Sequence, residues 1–178
     1  NMQLMKYIGT NGVVAYGIIM YVGFIFVGTY MGYAVGSAPV ISYHYGAGNK
    51  DELKNLFKRS LTIIIVSSVV MTLIAGIFVS YDNNLLELTT EAIRIYAVSY
   101  LISGVNIFAS SFFTALNNGV VSAVISFMRM FVFQIVMILL LPVVLGISGI
   151  WTAVIAAEVL SVVISVMFLV KNRKKYSY

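Results

Sequence analysis

Six polar residues recur at steps of three and four within one apolar segment, and they share a single face if that segment is helical. They are Ser99, Ser103, Asn106, Ser110, Thr114 and Asn117, called the polar seam below. Hydroxyl and amide groups in a membrane avoid lipid. The seam therefore either lines a water-filled cleft or hydrogen-bonds to a neighbouring helix, at ~0.6 kcal/mol per contact on average. Both interpretations are open from the spacing.

Arg129 and Glu158 are the charged residues deep within apolar segments. An unpaired charge at that depth costs at least ~2.5 kcal/mol. Counted from the segment ends that we assign to the same membrane side, their depths differ by about three residues, roughly 4–5 Å of helix, which long side chains can bridge. The placement predicts an ion pair, and the alternative is a carboxylate that titrates in proton coupling.

The composition excludes a soluble domain. Hydrophobic residues make up 61% and charged residues 10% of the 178 residues, whereas a soluble domain carries roughly 25% charged residues. Cysteine is absent, so the sequence offers neither a disulfide nor a thiolate metal site. The net charge of +5 does not indicate nucleic acid, because the basic residues flank apolar spans.

We predict an all-α, polytopic transmembrane bundle in one lobe over residues 1–178. Apolar runs of this length mean helices, since a segment in lipid must satisfy its own backbone hydrogen bonds. The five expected spans are 13–43, 60–79, 92–116, 120–141 and 150–170. Residues 1–8 are interpreted as the tail of a truncated helix, followed by a turn at 9–12. The expected connections are Gly46–Lys58, Ser80–Glu91, Asn117–Gly119 and Pro142–Gly149, with a tail over Lys171–Tyr178.

Basic residues cluster in two regions that four spans separate, which places both regions on one side of the membrane. Four lie between Lys50 and Arg59 and four between Lys171 and Lys175, whereas Ser80–Glu91 holds acidic residues but no Lys or Arg. By the positive-inside rule the basic side is cytoplasmic. Gly28, Gly32 and Gly36 form overlapping GxxxG repeats, which predict close approach of another helix, and Pro39 is expected to bend that span.

The stretch Gly36–Leu61, GSAPVISYHYGAGNKDELKNLFKRSL, resembles the end of the eighth helix in the multidrug and toxic compound extrusion (MATE) family. Later pieces fit in order, including Gly104-Val105-Asn106, Ser126–Arg129 and Gly149-Ile150-Trp151. The resemblance implies the C-terminal lobe of a twelve-helix transporter whose first lobe is missing. It marks as family motif the residues Gly36, Pro39, Tyr43, Gly46 and Ala47. Asn106 stands where some relatives carry an Asp that helps bind the coupling cation.

The resemblance implies export of organic, often cationic, drugs and toxins by alternating access, coupled to Na⁺ or H⁺. Of the two interpretations of the polar seam, the resemblance favours the one in which the seam lines a cleft. The expected pathway residues are then Ser99, Ser103, Asn106, Ser110, Thr114, Arg129 and Glu158. No catalytic residue, metal or cofactor is expected. The expected partners are the lipid bilayer, small organic substrates and the missing N-terminal lobe, in a bacterial cell membrane with a cytoplasmic C-terminus.

Two other functions remain open. A lipid-linked oligosaccharide flippase of the same superfamily would need several cationic groups in its cavity to hold a pyrophosphate, and only Arg129 qualifies. An intramembrane enzyme would need paired carboxylates or a nucleophile with a base at depth, a constellation that the sequence does not show. A channel subunit is disfavoured because no charged ring or filter-like loop is present.

Overall fold

The computed structural model describes residues 2–81 and 87–178, which form α-helices and one π-helical turn. After the short helix α1 (Met2–Tyr7), two long helices follow, α2 (Thr10–Gly46) and α3 (Lys50–Tyr81). Helix α4 runs over Glu87–Ala115. The fourth long rod combines α5 (Gly119–Phe127), the π-helical turn Met128–Phe133 and α6 (Gln134–Leu145), and α7 (Ile147–Tyr176) is the last. The part of the chain that the structure describes holds five rods long and apolar enough to cross a membrane, as predicted.

Successive rods run in opposite directions, and contacts at both ends show it. At one end the Ser42 hydroxyl donates to the Ala115 carbonyl at 2.8 Å, and the Asn118 amide donates to the Tyr176 hydroxyl at 2.9 Å. At the opposite end the rings of Tyr96 and Trp151 lie 6.1 Å apart. The end that carries Tyr176 is called the basic end below, because both Lys/Arg clusters lie there.

Helix α4 occupies the centre of the bundle and packs against α2, α3, α7 and the fourth rod. Its Phe108, Phe112 and Phe113 are fully buried. The outer surface of the bundle instead exposes large aliphatic and aromatic side chains, such as Phe24 on α2 and Val143 on α6. A surface of this kind suits contact with lipid. Polar side chains such as Ser68, Asn106 and Ser165 are buried inside the bundle.

The first predicted connection, Gly46–Lys58, is wrong in its extent, because α3 begins at Lys50. The side-chain oxygen of Asn49 accepts the backbone N–H of Glu52 at 3.2 Å, which is the contact of an N-cap. Asp51 and Glu52 lie in the first turn of α3, where negative charge favours the helix. The basic segment is therefore the first turns of α3.

The predicted connection Pro142–Gly149 is also wrong, because α6 continues through Pro142 to Leu145 and α7 starts at Ile147. Gly146 alone links them, at φ 60° and ψ −133°, a conformation that side chains other than hydrogen disfavour. Gly149 then lies directly against the Leu141 carbonyl, so close that a Cβ at this position would clash with it.

Three further boundaries differ from the prediction. The turn expected at 9–12 is confined to Gly9, at φ 75°, since α2 begins at Thr10. The tail is helical up to Tyr176. Ser80 and Tyr81 belong to α3 and residues 87–91 to α4, while 82–86 of the expected external loop lie outside the described residues.

The predicted close helix approach at Gly28, Gly32 and Gly36 is wrong within the described part of this chain. A Cβ built on any of the three would meet no heavy atom within 4 Å. The tight approach occurs at Gly104 of α4, where a Cβ would lie 3.1 Å from Tyr30 and 3.2 Å from the Ser68 hydroxyl. Gly104 of α4 therefore lets α2 and α3 approach closely, and Gly23 of α2 lies directly against the Tyr100 hydroxyl of α4.

Candidate functional site

Arg129 and Glu158 form the ion pair that their depths predict. The Arg129 Nη2 lies 2.8 Å from the Glu158 Oε1. The Arg129 Nε donates to Oε1 at 2.9 Å and to Oε2 at 3.0 Å. The side chains are 14% and 8% exposed, so the two charges meet where little water reaches. A charge-assisted contact through two guanidinium nitrogens is both strong and directional.

Asn106 of α4 completes the environment of the carboxylate. Its Nδ2 donates to the Glu158 Oε2 at 2.7 Å and to the Glu158 backbone carbonyl at 3.2 Å. Its Oδ1 accepts the hydroxyl of Ser165 at 2.9 Å. Asn106 and Ser165 are fully buried. Both polar atoms of the Asn106 side chain have hydrogen-bond partners on α7, as buried polar groups require. These four residues are called the buried network below.

Three elements hold the buried network together. Asn106 comes from the central helix α4, Glu158 and Ser165 come from α7, and Arg129 comes from the π-helical turn. The π-helix is rare and, where it occurs, is frequently a functional site. The network thus joins the central helix α4 to the fourth rod, which carries the π-helical turn.

The half of the polar seam that lies nearer the basic end of the bundle packs against the fourth rod. The Ser110 hydroxyl lies 2.9 Å from that of Ser122 and 2.7 Å from that of Ser126. The Thr114 hydroxyl lies 2.7 Å from that of Ser122 and donates to the Ser110 carbonyl at 3.2 Å. Asn117 ends the seam in a left-handed conformation at φ 57°.

The other half of the seam is buried within the bundle. Ser99 donates to the Tyr96 carbonyl at 2.6 Å and Ser103 to the Tyr100 carbonyl at 3.1 Å. Asn106 is 0% exposed. These three side chains are buried in this structure, and their place in a transport pathway stays a prediction. The interhelical alternative holds at Asn106 because α7 covers it.

The residues marked as family motif lie apart from the buried network. Gly36, Pro39, Tyr43 and Gly46 are exposed along the last turns of α2. The Ala47 N–H donates to the Tyr43 carbonyl and closes the helix. Within the described residues, no hydrogen bond joins these five positions to Glu158 or its partners, so their part in a pathway remains a prediction.

Sequence reasoning missed the polar face of α7 and that of α5. Glu158, Ser161 and Ser165 follow one another at steps of three and four, as do Ser122 and Ser126 on the fourth rod. That spacing is the signal that identified the seam of α4. The same count on the neighbouring spans would have pointed to Ser165 and Ser122 as its partners.

Charge and donor type limit what the network can hold. The two charges of the network cancel. Its oxygen atoms belong to a carboxylate, an amide and a hydroxyl, which are the kinds of group that hard cations prefer as ligands. Within residues 2–81 and 87–178, no group of three or more His, Cys, Asp or Glu residues could hold a metal ion. The Glu158 carboxylate is instead shared between Arg129 and Asn106.

These features define a polytopic α-helical membrane protein with a buried ion pair at the centre of its bundle. Residues 1–140 match the family described as MatE, so the chain belongs to the MatE family, and the resemblance seen in the sequence is confirmed. Its fold is similar to the crystal structure of the Vibrio cholerae MATE transporter VcmN in the bent form, with a TM-score of 0.85 and 16% sequence identity. The similarity covers 98% of this chain and 42% of that chain. Comparison with curated proteins found no match.

Proposed function

We propose that the full-length protein is a secondary transporter that exports organic, often cationic, compounds in exchange for Na⁺ or H⁺. Membership of the MatE family supports transport. The observation that carries the coupling role is the buried carboxylate of Glu158, held by Arg129 and Asn106 from two other elements. Ionisable groups within a membrane are costly, and they mark ion pathways by default.

Coupling works in this proposal by competition for Glu158. Both carboxylate oxygens accept bonds from Arg129, and Oε2 also accepts one from Asn106. A proton or Na⁺ that binds the carboxylate must displace the guanidinium. The freed charge of Arg129 then requires another partner, and the fourth rod moves with it. A ligand shifts a conformational equilibrium only by binding one state better, and this exchange supplies that difference.

The proposed location is a cell membrane with a cytoplasmic C-terminus. The basic end carries eight of the eleven Lys and Arg residues, an asymmetry that orients spans with this end inward. Alternating access would then arise from movement of this lobe against the N-terminal lobe. The cargo would bind where the two lobes face each other.

Transport by the full-length protein in proteoliposomes tests the proposal. A fluorescent lipophilic cation is the cargo, and the driving force is a Na⁺ gradient, a pH gradient or neither. We expect accumulation with at least one gradient and none without, and loss of that dependence in Glu158→Gln. Asn55→Gln is the control and keeps wild-type transport, because Asn55 is half-buried in the first turns of α3 and its side chain bonds to Glu52 of the same helix. Absence of transport with both gradients would overturn the proposed cargo and coupling. Undiminished coupling in Glu158→Gln would remove the carboxylate from the mechanism.

A further inference from the structure

The basic end of the bundle contains a cavity of about 200 Å³ between α3 and α7. Three cationic residues line it: Lys54 and Lys58, one turn apart on α3, and Arg173 on α7. Phe57, Leu169 and Tyr178 form its apolar and aromatic wall. Among the residues that the structure describes, no acidic side chain lines the cavity, so its lining side chains carry three positive charges.

Within the described residues, none of these three side chains forms an ion pair with an acidic side chain. The ion pair found among the described residues joins Arg129 to Glu158 and involves none of the cavity residues. Arg173 Nε donates to the backbone oxygen of Tyr178 at 3.3 Å. Burial, and then the neighbouring Tyr176, raise the pKa of the Tyr178 phenol, although Arg173 lowers it. The phenol therefore stays neutral, donates to the Leu169 carbonyl at 2.8 Å and cancels none of the positive charge.

An apolar crevice of about 680 Å³ lies on the other side of α7, between it and the fourth rod. Val170 lines both the crevice and the cationic cavity, so the two spaces border the same side chain. The crevice extends along α7 from Lys171 at its rim to Ile164, about 10 Å of helix toward the middle of the membrane. Its other walls include Val124, Met128 and Met167.

We propose that the basic end of α3 and α7 binds an anionic phospholipid. The phosphate lies among Lys54, Lys58 and Arg173, and one acyl chain passes Val170 into the crevice. Charge complementarity selects an anion, and the adjoining apolar crevice selects one that carries an acyl chain. Basic pockets between helices on the cytoplasmic side of membrane proteins bind anionic headgroups for the same reason.

Lipid selectivity of the full-length protein tests this site. The protein is reconstituted in phosphatidylcholine vesicles with trace spin-labelled phosphatidylglycerol or spin-labelled phosphatidylcholine, and the motionally restricted fraction of each is measured. The triple variant Lys54→Gln, Lys58→Gln, Arg173→Gln removes the cavity charges. The matched triple variant Lys50→Gln, Arg59→Gln, Lys174→Gln removes three charges at the same end that do not line the cavity. The restricted fraction of phosphatidylcholine reports that each variant is folded.

We expect the wild type to prefer phosphatidylglycerol, the cavity variant to lose most of that preference, and the matched variant to retain most of it. Equal losses in the two variants would overturn the site, because they would show that only the overall charge of this end matters. Displacement of the labelled lipid by excess inorganic phosphate would also overturn it, because the occupant would then be a soluble anion. A wild type without preference would refute the proposal directly.

Discussion

Arg129 Nη2 and Glu158 Oε1 lie 2.8 Å apart between the π-helical turn of the fourth rod and α7. Neither charge has a second charged partner within the described residues. A buried charge that loses its partner costs ~3–5 kcal/mol, whereas removal of both partners is often close to neutral. The pair therefore behaves as a unit, and its removal in halves and as a whole should give different results.

The first prediction follows from this pairing. Glu158→Gln and Arg129→Gln should each lower the stability of the full-length protein in detergent by about 3 kcal/mol, and the double variant should lose less than either single one. The measurement is thermal or denaturant unfolding of all four proteins as a double-mutant cycle. If the two losses simply add, the residues do not interact and the network at Glu158 is not a unit.

The second prediction concerns the hairpin between α6 and α7. Gly149→Ala would place a Cβ against the Leu141 carbonyl, a backbone atom that cannot move aside, so the start of α7 must shift. We expect a loss of ~1–3 kcal/mol, the range for overpacking. Gly119→Ala is the control, because a Cβ there meets nothing within 4 Å. Equal stability of the two variants would mean that α7 does not approach Leu141 so closely.

The number and type of spans could be predicted from the sequence, because uninterrupted apolar runs leave helices as the allowed structure. The residues at which the helices begin and end could not be predicted in the same way. The sequence predicts connections at Pro142 and at the polar stretch Lys50–Lys58. A proline is nevertheless tolerated in a membrane helix, and an amphipathic helix can continue beyond the lipid. Hydropathy marks where lipid ends, whereas backbone hydrogen bonds and caps such as Asn49 mark where a helix ends.

The candidate site was predictable in part for a similar reason. The depth of a residue along its span can be counted from the sequence, and the similar depths of Arg129 and Glu158 predict their ion pair. The spacing of the seam gave a shared face, but not the neighbour that covers it. Whether Asn106 meets water or Ser165 depends on how α7 packs on α4, and that packing is set by side-chain shapes along both helices.

The third prediction is the orientation of the bundle. Single cysteines at Lys54 and Ser148, in a full-length background without other cysteines, lie at opposite ends and are both exposed. We expect a membrane-impermeant thiol reagent applied to intact cells to label position 148 and to leave position 54 unlabelled until the membrane is opened, because the positive-inside rule predicts that the Lys/Arg clusters face the cytoplasm. The reverse labelling pattern would invert the proposed topology.

The last prediction separates Asn106 from the rest of the polar seam. Asn106→Leu keeps the size of the side chain but leaves Glu158 Oε2 and the Ser165 hydroxyl without the partner that now binds them. Buried polar groups that lose a partner cost ~1–3 kcal/mol, and we expect a loss of that size in the full-length protein. Ser99→Ala is the matched control, since Ser99 is equally buried but bonds to its own helix at Tyr96, where an average contact is worth ~0.6 kcal/mol. The measurement is unfolding in detergent with gradient-driven transport of the same variants. Similar, small effects of the two substitutions would reduce Asn106 to ordinary helix packing and leave Glu158 with Arg129 alone.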